Sequence, residues 1–307
     1  MSPPGEWLVT GANGMLGRLL IRRLATGEGP RPGVRAAVRS ERAAETLRSL
    51  KLPEPPRIEL VDYADAGSLA RAAEGCRVAV HLVGILKENA RSRYTEAHET
   101  TCSALARAAR KVGLERIVYV SIVGATPGSR NPCLASKGRA EVILHQGSVA
   151  AAVLRFPMVL GPDDPATRAL RARAAPPLVP LVRGGASLEQ PLDALDAVEA
   201  VVRAADSPAA ARQSLDLGGP ECLPRRELIH RAAAILGRRP PRIVPVPFWL
   251  ARSAATLAAA VLADPPITPA MLGVLEQDDC VDNARALGAL GLELTPLDTT
   301  LRRVLTA

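Results

Sequence analysis

Aromatic side chains make up only 2% of the sequence: two Trp, three Tyr and two Phe. Recognition of single-stranded nucleic acid stacks bases on several aromatic platforms, so that class is disfavoured, and apolar burial must come from Leu, Val, Ile and Ala. Lysine is as scarce. Of 39 basic residues only Lys51, Lys87, Lys111 and Lys137 are lysine, and the arginines run from Arg18 to Arg303 without a dense block, a usage that points to a GC-rich coding bias. A net charge of +8 spread in this way reads as a solvated surface with modest attraction to anionic lipid or phosphate, and no specific nucleic-acid partner is expected. Five cysteines, Cys76, Cys102, Cys133, Cys222 and Cys280, form no C-x-x-C pair. Neither a metal site nor a disulfide framework is therefore expected. No apolar run reaches the ~20 residues that a spanning helix needs; the longest, Phe248 to Ala263, contains Arg252. The first apolar strand begins at Glu6, which leaves no room for a cleaved leader and makes the cytoplasm the expected address.

What is present is an ordinary globular composition, 48% hydrophobic and 23% charged over 307 residues, enough for a large core with a smaller partner. The first half alternates short β-rich runs with longer helical patterns, the rhythm of parallel strands joined by crossover helices. Strands are predicted at Trp7–Thr10, Val34–Val38, Arg57–Val61, Val78–Val83, Ile117–Ile122 and Ala151–Phe156. Most are nearly all apolar, as strands buried on both faces are. Between them, Met15–Ala25 and Glu96–Val112 carry helical periodicity. After Phe156 a series of prolines, Pro157, Pro162, Pro165, Pro176, Pro177 and Pro180, breaks the alternation. The fold class expected is α/β, a doubly wound parallel sheet over residues 1–160, followed by a smaller, mainly helical region over 161–307 that can return segments to the first. Helices are predicted there at Ala194–Ala205, Arg225–Leu236, Phe248–Leu262, Pro269–Gln277 and Pro296–Leu305, with a strand near Ser214–Leu217.

The strongest signal is Val9-Thr10-Gly11-Ala12-Asn13-Gly14-Met15-Leu16-Gly17, a G-x-x-G-x-x-G placed between the first strand and the first helix. Gly11 permits a tight turn, Gly14 lets backbone approach a pyrophosphate and Gly17 lets the helix pack closely. The helix N-terminus offers unpaired N–H donors to the anion, with Thr10, Asn13 and Met15 beside it. A dinucleotide whose ribose is bound through its hydroxyls calls for a carboxylate at the end of the second strand, where this chain has Arg39, followed by Ser40 and Arg42. A guanidinium matches a 2′-phosphate in geometry and charge, so NADP(H) is favoured over NAD(H). After the third strand, the Asp62 carboxylate can accept from an adenine amino group, and the Tyr63 backbone N–H can meet the ring.

With His81-Leu82-Val83-Gly84-Ile85 and Leu154-Arg155-Phe156-Pro157-Met158-Val159-Leu160-Gly161-Pro162 added to these motifs, the chain resembles the extended and atypical short-chain dehydrogenases/reductases, a Rossmann-like superfamily, along nearly its whole length. Leu82-Val83-Gly84-Ile85, Gly184-Gly185 followed by Gln190-Pro191-Leu192, and Leu217-Gly218-Gly219-Pro220-Glu221 look most like the branch containing the nucleotide-binding accessory subunit of respiratory complex I and its bacterial relatives. The resemblance implies that Val83, Gly84, Phe156, Pro157 and Val159 line the nicotinamide half of a pocket. It also implies a catalytic Ser, Tyr and Lys, whose matching places read Ser121, Cys133 and Lys137. The proton donor is the missing part. A thiol is shorter, with an unperturbed pKa near 8.5, and Cys133 reads as a small packed residue, the other reading being a poor substitute donor if Lys137 lowers its pKa; Lys137 can still hold the nicotinamide ribose. Tyr94, His98, Tyr119 and His145 read as structural.

Two functions follow. The first is a binding protein in which NADPH organises the fold and the chain serves assembly or stability of a membrane redox complex. The second is an NADPH-dependent reductase of a quinone or small carbonyl compound, with a sugar epimerase a weaker third. The helical stretch Phe248–Leu262 has a thin polar face, Arg252, Ser253 and Thr256, which favours burial in the core. The other reading is an interfacial helix that holds the protein at the inner face of a membrane.

Overall fold

The computed structural model describes residues 5–27, 32–89, 92–162, 164–262 and 264–306. Met1, on which the leaderless expectation rests, and Ala263, the last residue of the long apolar stretch, lie outside them. Six strands, β1 (Glu6–Thr10), β2 (Val34–Val38), β3 (Arg57–Leu60), β4 (Cys76–His81), β5 (Arg116–Ile122) and β6 (Ala150–Phe156), are joined by helices α1 (Met15–Thr26), α2 (Glu41–Arg48), α3 (Ala66–Ala73), α4 (Thr101–Val112) and α5 (Pro132–Gln146). A seventh parallel strand, Ser214–Asp216, pairs with β6, so the sheet runs Ser214–Asp216, β6, β5, β4, β1, β2, β3. Strand order reverses between β1 and β4. Ligand crevices of open parallel sheets lie outside the carboxyl ends of the strands at such a reversal.

Alternation along each strand supplies two cores. Trp7, Val9, Ala36, Val38, Val78, Val80, Val118, Ala152 and Leu154 face one helical layer, and Leu8, Ala37, Ala79, Ile117, Tyr119, Ala151 and Val153 face the other. The first layer includes α1 and helix Ala194–Asp206, together with helix Ala284–Leu290. The chain after Phe156 thus returns three elements to the main sheet: Ser214–Asp216 and these two helices. α5 is buried over most of its surface, with Cys133, Leu134, Ala135, Ser136, Lys137, Gly138, Ala140, Glu141 and Leu144 all buried, and turns Arg139 and Val142 outward. Ahead of α4, Thr95–Thr100 winds as a π-helix.

A third cluster, including Leu160, Leu170, Val179, Leu181, Leu228, Ile229, Leu301 and Val304, forms a separate centre. Its small sheet pairs Leu178–Val182 with Arg242–Val246 in parallel, Pro180 lying opposite Val244 and Pro245 opposite Leu181. Prolines that read as breakers in the sequence sit here in a two-stranded ribbon, where a missing donor is tolerated.

Two expectations are corrected. Helix Phe248–Val261 is not core: Ala255 alone is buried, while Trp249 is 68%, Leu257 67% and Val261 72% exposed. Its short polar face does not require burial because almost no apolar surface is turned inward. Second, Cys222 and Cys280 form a disulfide with Cα atoms 5.7 Å apart. They lie 58 residues apart and not in a C-x-x-C motif, so spacing could not reveal them; Cys76, Cys102 and Cys133 are free and buried. The bridge fastens the loop after Ser214–Asp216 to the segment before helix Ala284–Leu290, where the Asn283 side chain also accepts from Gly218 N–H at 2.8 Å and donates to the Gly219 carbonyl at 2.9 Å. Closing a loop of this length limits the unfolded chain by up to about 4 kcal/mol. Reduction by dithiothreitol, or Cys222→Ser, is therefore expected to lower the melting temperature by several degrees; equal melting with and without reductant would show that the bridge does not form.

Candidate functional site

At the β1/β4 reversal the structure opens a cleft of about 1050 Å³. Gly11, Asn13 and Gly14 from the β1–α1 turn line it, with Arg39, Ser40 and Arg42 at the end of β2, Asp62 and Tyr63 after β3, and Leu82, Val83, Gly84 and Ile85 after β4. Gly11 has φ +68, and a Cβ there would stand 3.1 to 3.2 Å from backbone atoms of Leu82 and Val83. A Cβ at Gly17 would stand 2.5 Å from the Ala12 carbonyl oxygen. Any side chain at either place would push the turn off β4 or the helix off the turn. α1 has no side-chain cap and no acidic residue in its first turn, so its positive end faces the cleft uncompensated. A helix end with no side-chain cap, approached at Gly11 and Gly14 by backbone alone, fits a pyrophosphate.

Tyr63 holds the turn from below. Its buried hydroxyl accepts from Gly11 N–H at 2.9 Å and donates to the Ala37 carbonyl at 2.7 Å; burial pushes the phenol up to about 12. The sequence suggested only a backbone contact for this residue, and its side chain ties β2, β3 and the glycine turn together. Asp62 Oδ1 accepts from Ala64 N–H at 2.9 Å and lines the cleft, while the cap of α3 is Asp65. Ser40 caps α2 through Ala43 N–H at 3.3 Å. Neither the Arg39 nor the Arg42 guanidinium makes an ion pair or hydrogen bond among the described residues, and both are exposed at the cleft.

Thr10 does not point its hydroxyl at the cleft. Its Oγ1 lies 2.7 Å from His81 Nδ1, and His81 Nε2 lies 3.2 Å from Thr101 Oγ1, which ties β1 to β4 and α4. Complete burial lowers His81 to about 3. His98 is also lowered to about 3, by burial and then by the Lys137 charge, and its Nε2 accepts from Ile85 N–H at 3.1 Å. Sequence reasoning passed over His81; its place at the end of β4, beside two threonines, gave no catalytic spacing to notice.

Ser121, Cys133 and Lys137 lie outside the lining of this cleft. The Ser121 hydroxyl donates to Glu141 at 2.5 Å, and Arg155 clasps the same carboxylate. Cys133 is fully buried; its thiol points to the Ile85 carbonyl at 3.7 Å and burial pushes it up to about 11. Lys137 donates to the Val120 carbonyl at 3.1 Å and lies 4.6 Å above the Tyr119 ring. Its ammonium, lowered by burial, stands directly behind Gly84, 2.9 Å from where a Cβ would be. Phe156 is core, Pro157 is buried and Val159 pairs with Leu192; none of the three reaches the cleft lining. Met15 packs at Gly161, whose added Cβ would meet its sulfur at 2.7 Å. Among the described residues no group of three or more His, Cys, Asp or Glu could hold a metal ion.

A family model described as NAD(P)H-binding matches residues 11–178. The chain belongs to this NAD(P)H-binding family. It is 32% identical over 181 residues to the ceramide reductase of Caulobacter vibrioides, covering 58% of this chain and 54% of that protein. It is 27% identical over 254 residues to subunit 9 of the NADH dehydrogenase [ubiquinone] 1 alpha subcomplex, mitochondrial, of Arabidopsis thaliana, covering 80% and 61%. The matches thus span between half and two-thirds of each relative's length. Among solved structures, the triphenylmethane reductase of Citrobacter sp. shares the fold at a TM-score of 0.76 and 20% identity, covering 98% of this chain and all of that one. The expected likeness to short-chain dehydrogenases/reductases and to the complex I accessory subunit is borne out.

The two histidines generate a pH dependence. Both have native values near 3 against an ordinary 6.5, so the unfolded state binds more protons between these limits. Stability is full above pH 6.5 and falls as pH drops toward 3, with a slope of up to about 1.4 kcal/mol per pH unit for each histidine. Urea unfolding at pH 7 and pH 5 checks this, and His81→Gln is expected to flatten the slope; an unchanged slope in that variant would remove His81 from the account.

Proposed function

We propose that this chain is an NADPH-binding protein whose dinucleotide stabilises the fold and whose role is structural, in the assembly or stability of a membrane redox complex. The observation that carries this reading is the state of the proton-donor position. Hydride delivery to a ketone leaves an alkoxide that must be protonated. Cys133 is buried, with its thiol raised to about 11 and directed at Ile85, and the hydroxyl of Ser121 is spent on Glu141. Neither offers a proton to the cleft. Lys137, buried beside Gly84 and donating to the Val120 carbonyl, keeps only the role that the family resemblance gives it, holding a nicotinamide ribose without a reaction following.

The bound dinucleotide would supply a hydride at its nicotinamide; the chain's own residues hold and orient it. Gly11, Gly14 and the start of α1 take the pyrophosphate, and Asp62 the adenine. Arg39, with Arg42 and the Ser40-capped end of α2, takes the 2′-phosphate, and no carboxylate stands at the end of β2 to prefer the hydroxyl form. The relative that is a subunit of NADH dehydrogenase supports the complex-bound setting. The exposed apolar helix Phe248–Val261 supports contact with a membrane or a membrane complex at its inner face. The second reading, reduction of a quinone or small carbonyl compound, is favoured by the relative named a reductase. A quinone asks less of a protein acid, because its reduced anion is already stabilised.

Three measurements decide. Arg39→Ala is expected to weaken NADPH about ten- to a hundredfold, the loss of a charge-assisted phosphate bond, with NADH changed less than twofold; equal losses would remove the 2′-phosphate assignment. Slow NADPH release, over many minutes, without oxidation by a soluble ubiquinone analogue supports the structural role, whereas steady turnover establishes the reductase. Cys133→Tyr, checked for an intact melt because the site is fully packed, is expected to create carbonyl reduction in an otherwise inert protein.

A further inference from the structure

A second pocket of about 670 Å³ shares no lining residue with the dinucleotide cleft. Tyr94, Pro132, Phe248 and Ala270 line it together with the polar Asn131 and Thr268, and the exposed cations Arg130 and Arg252 stand at its rim. Both guanidiniums are exposed and make no ion pair or side-chain hydrogen bond among the described residues. The one carboxylate beside them, Glu88, already accepts from Tyr94 N–H at 2.8 Å and faces Arg93 at 3.9 Å. Two cations with no ion-pair partner among the described residues, beside apolar side chains, are complementary to a molecule with an anionic head and an alkyl body. Phe248 and Arg252 belong to helix Phe248–Val261, which also exposes Trp249, Leu250, Leu257 and Val261. A patch of this kind on a helix with so little buried surface suits a lipid interface.

We propose that this pocket binds the alkyl chain of an anionic membrane lipid, whose head is held by Arg130 and Arg252 and which enters from a bilayer contacted by helix Phe248–Val261. The site is separate from the dinucleotide cleft and does not depend on what the chain does with NADPH, while entry from a bilayer rests on the membrane contact proposed above for helix Phe248–Val261.

The test uses the full chain and cis-parinarate, a fluorescent long-chain carboxylate. Expected are saturable single-site binding and displacement by oleate at least about tenfold better than by oleyl alcohol. Arg130→Glu or Arg252→Glu should weaken binding about tenfold or more. Ala270→Trp, which fills the pocket, should abolish it; if that variant fails to fold, the two exposed rim variants keep the test. NADPH affinity, read on the same samples, should stay within twofold, which separates a lost lipid site from a lost fold. Flotation with phosphatidylglycerol vesicles should fall in Leu257→Asp while parinarate affinity holds. Non-saturable binding, equal displacement by oleate and the alcohol, or unchanged affinity in both rim variants would overturn the lipid site. Flotation indifferent to Leu257→Asp would overturn entry along the helix.

Discussion

The close approach of the β1–α1 turn to the end of β4 is the constraint on which the cleft depends. Gly11 sits against the backbone of Leu82 and Val83, and two side chains distant in sequence help to fix it there: the Tyr63 hydroxyl beneath its N–H, and the His81 ring beside Thr10. Both anchors are buried and uncharged, so they act through geometry and leave the electrostatic field of the cleft to the helix end and the arginines. A turn held in this way is formed before any ligand arrives, which reduces the ordering cost of binding.

Around this turn the protein separates two kinds of polar chemistry. The cleft side has exposed cations without partners. The interior below has polar groups that are closed on one another: Ser121, Glu141 and Arg155 form one group, and Lys137 is shared between the Val120 carbonyl and the Tyr119 face. Burying Glu141 and Lys137 is costly unless each is paired, and those pairings consume the groups that the family resemblance would assign to proton transfer.

Much of this was legible in the sequence, and the exceptions have physical causes. Most of β1 to β6 read clearly because strands covered on both faces are nearly all apolar, and the glycine turn read clearly because steric exclusion leaves only one residue type at Gly11 and Gly17. Tyr63 was read for its backbone and not its hydroxyl, because the hydroxyl's partners lie 26 and 52 positions away. The ribbon Leu178–Val182 with Arg242–Val246 was hidden by its prolines. The disulfide was hidden by its separation, and the exposure of Phe248–Val261 by a composition equally suited to a core. Each miss concerns a partner distant in sequence, or none at all.

The π-helix at Thr95–Thr100 has a consequence for insertions and deletions. It carries His98, which holds the Ile85 backbone, and leads into Thr101, which meets His81. The π segment carries one residue more than an α turn needs, so removing one residue there would restore ordinary α-helical spacing with little rotation of α4. The change would fall on the bulge itself, where His98 meets the Ile85 backbone, and not on Thr101 in the α-helix that follows. A homologue one residue shorter here would keep α4 in place and would have to hold its β4 loop by other means.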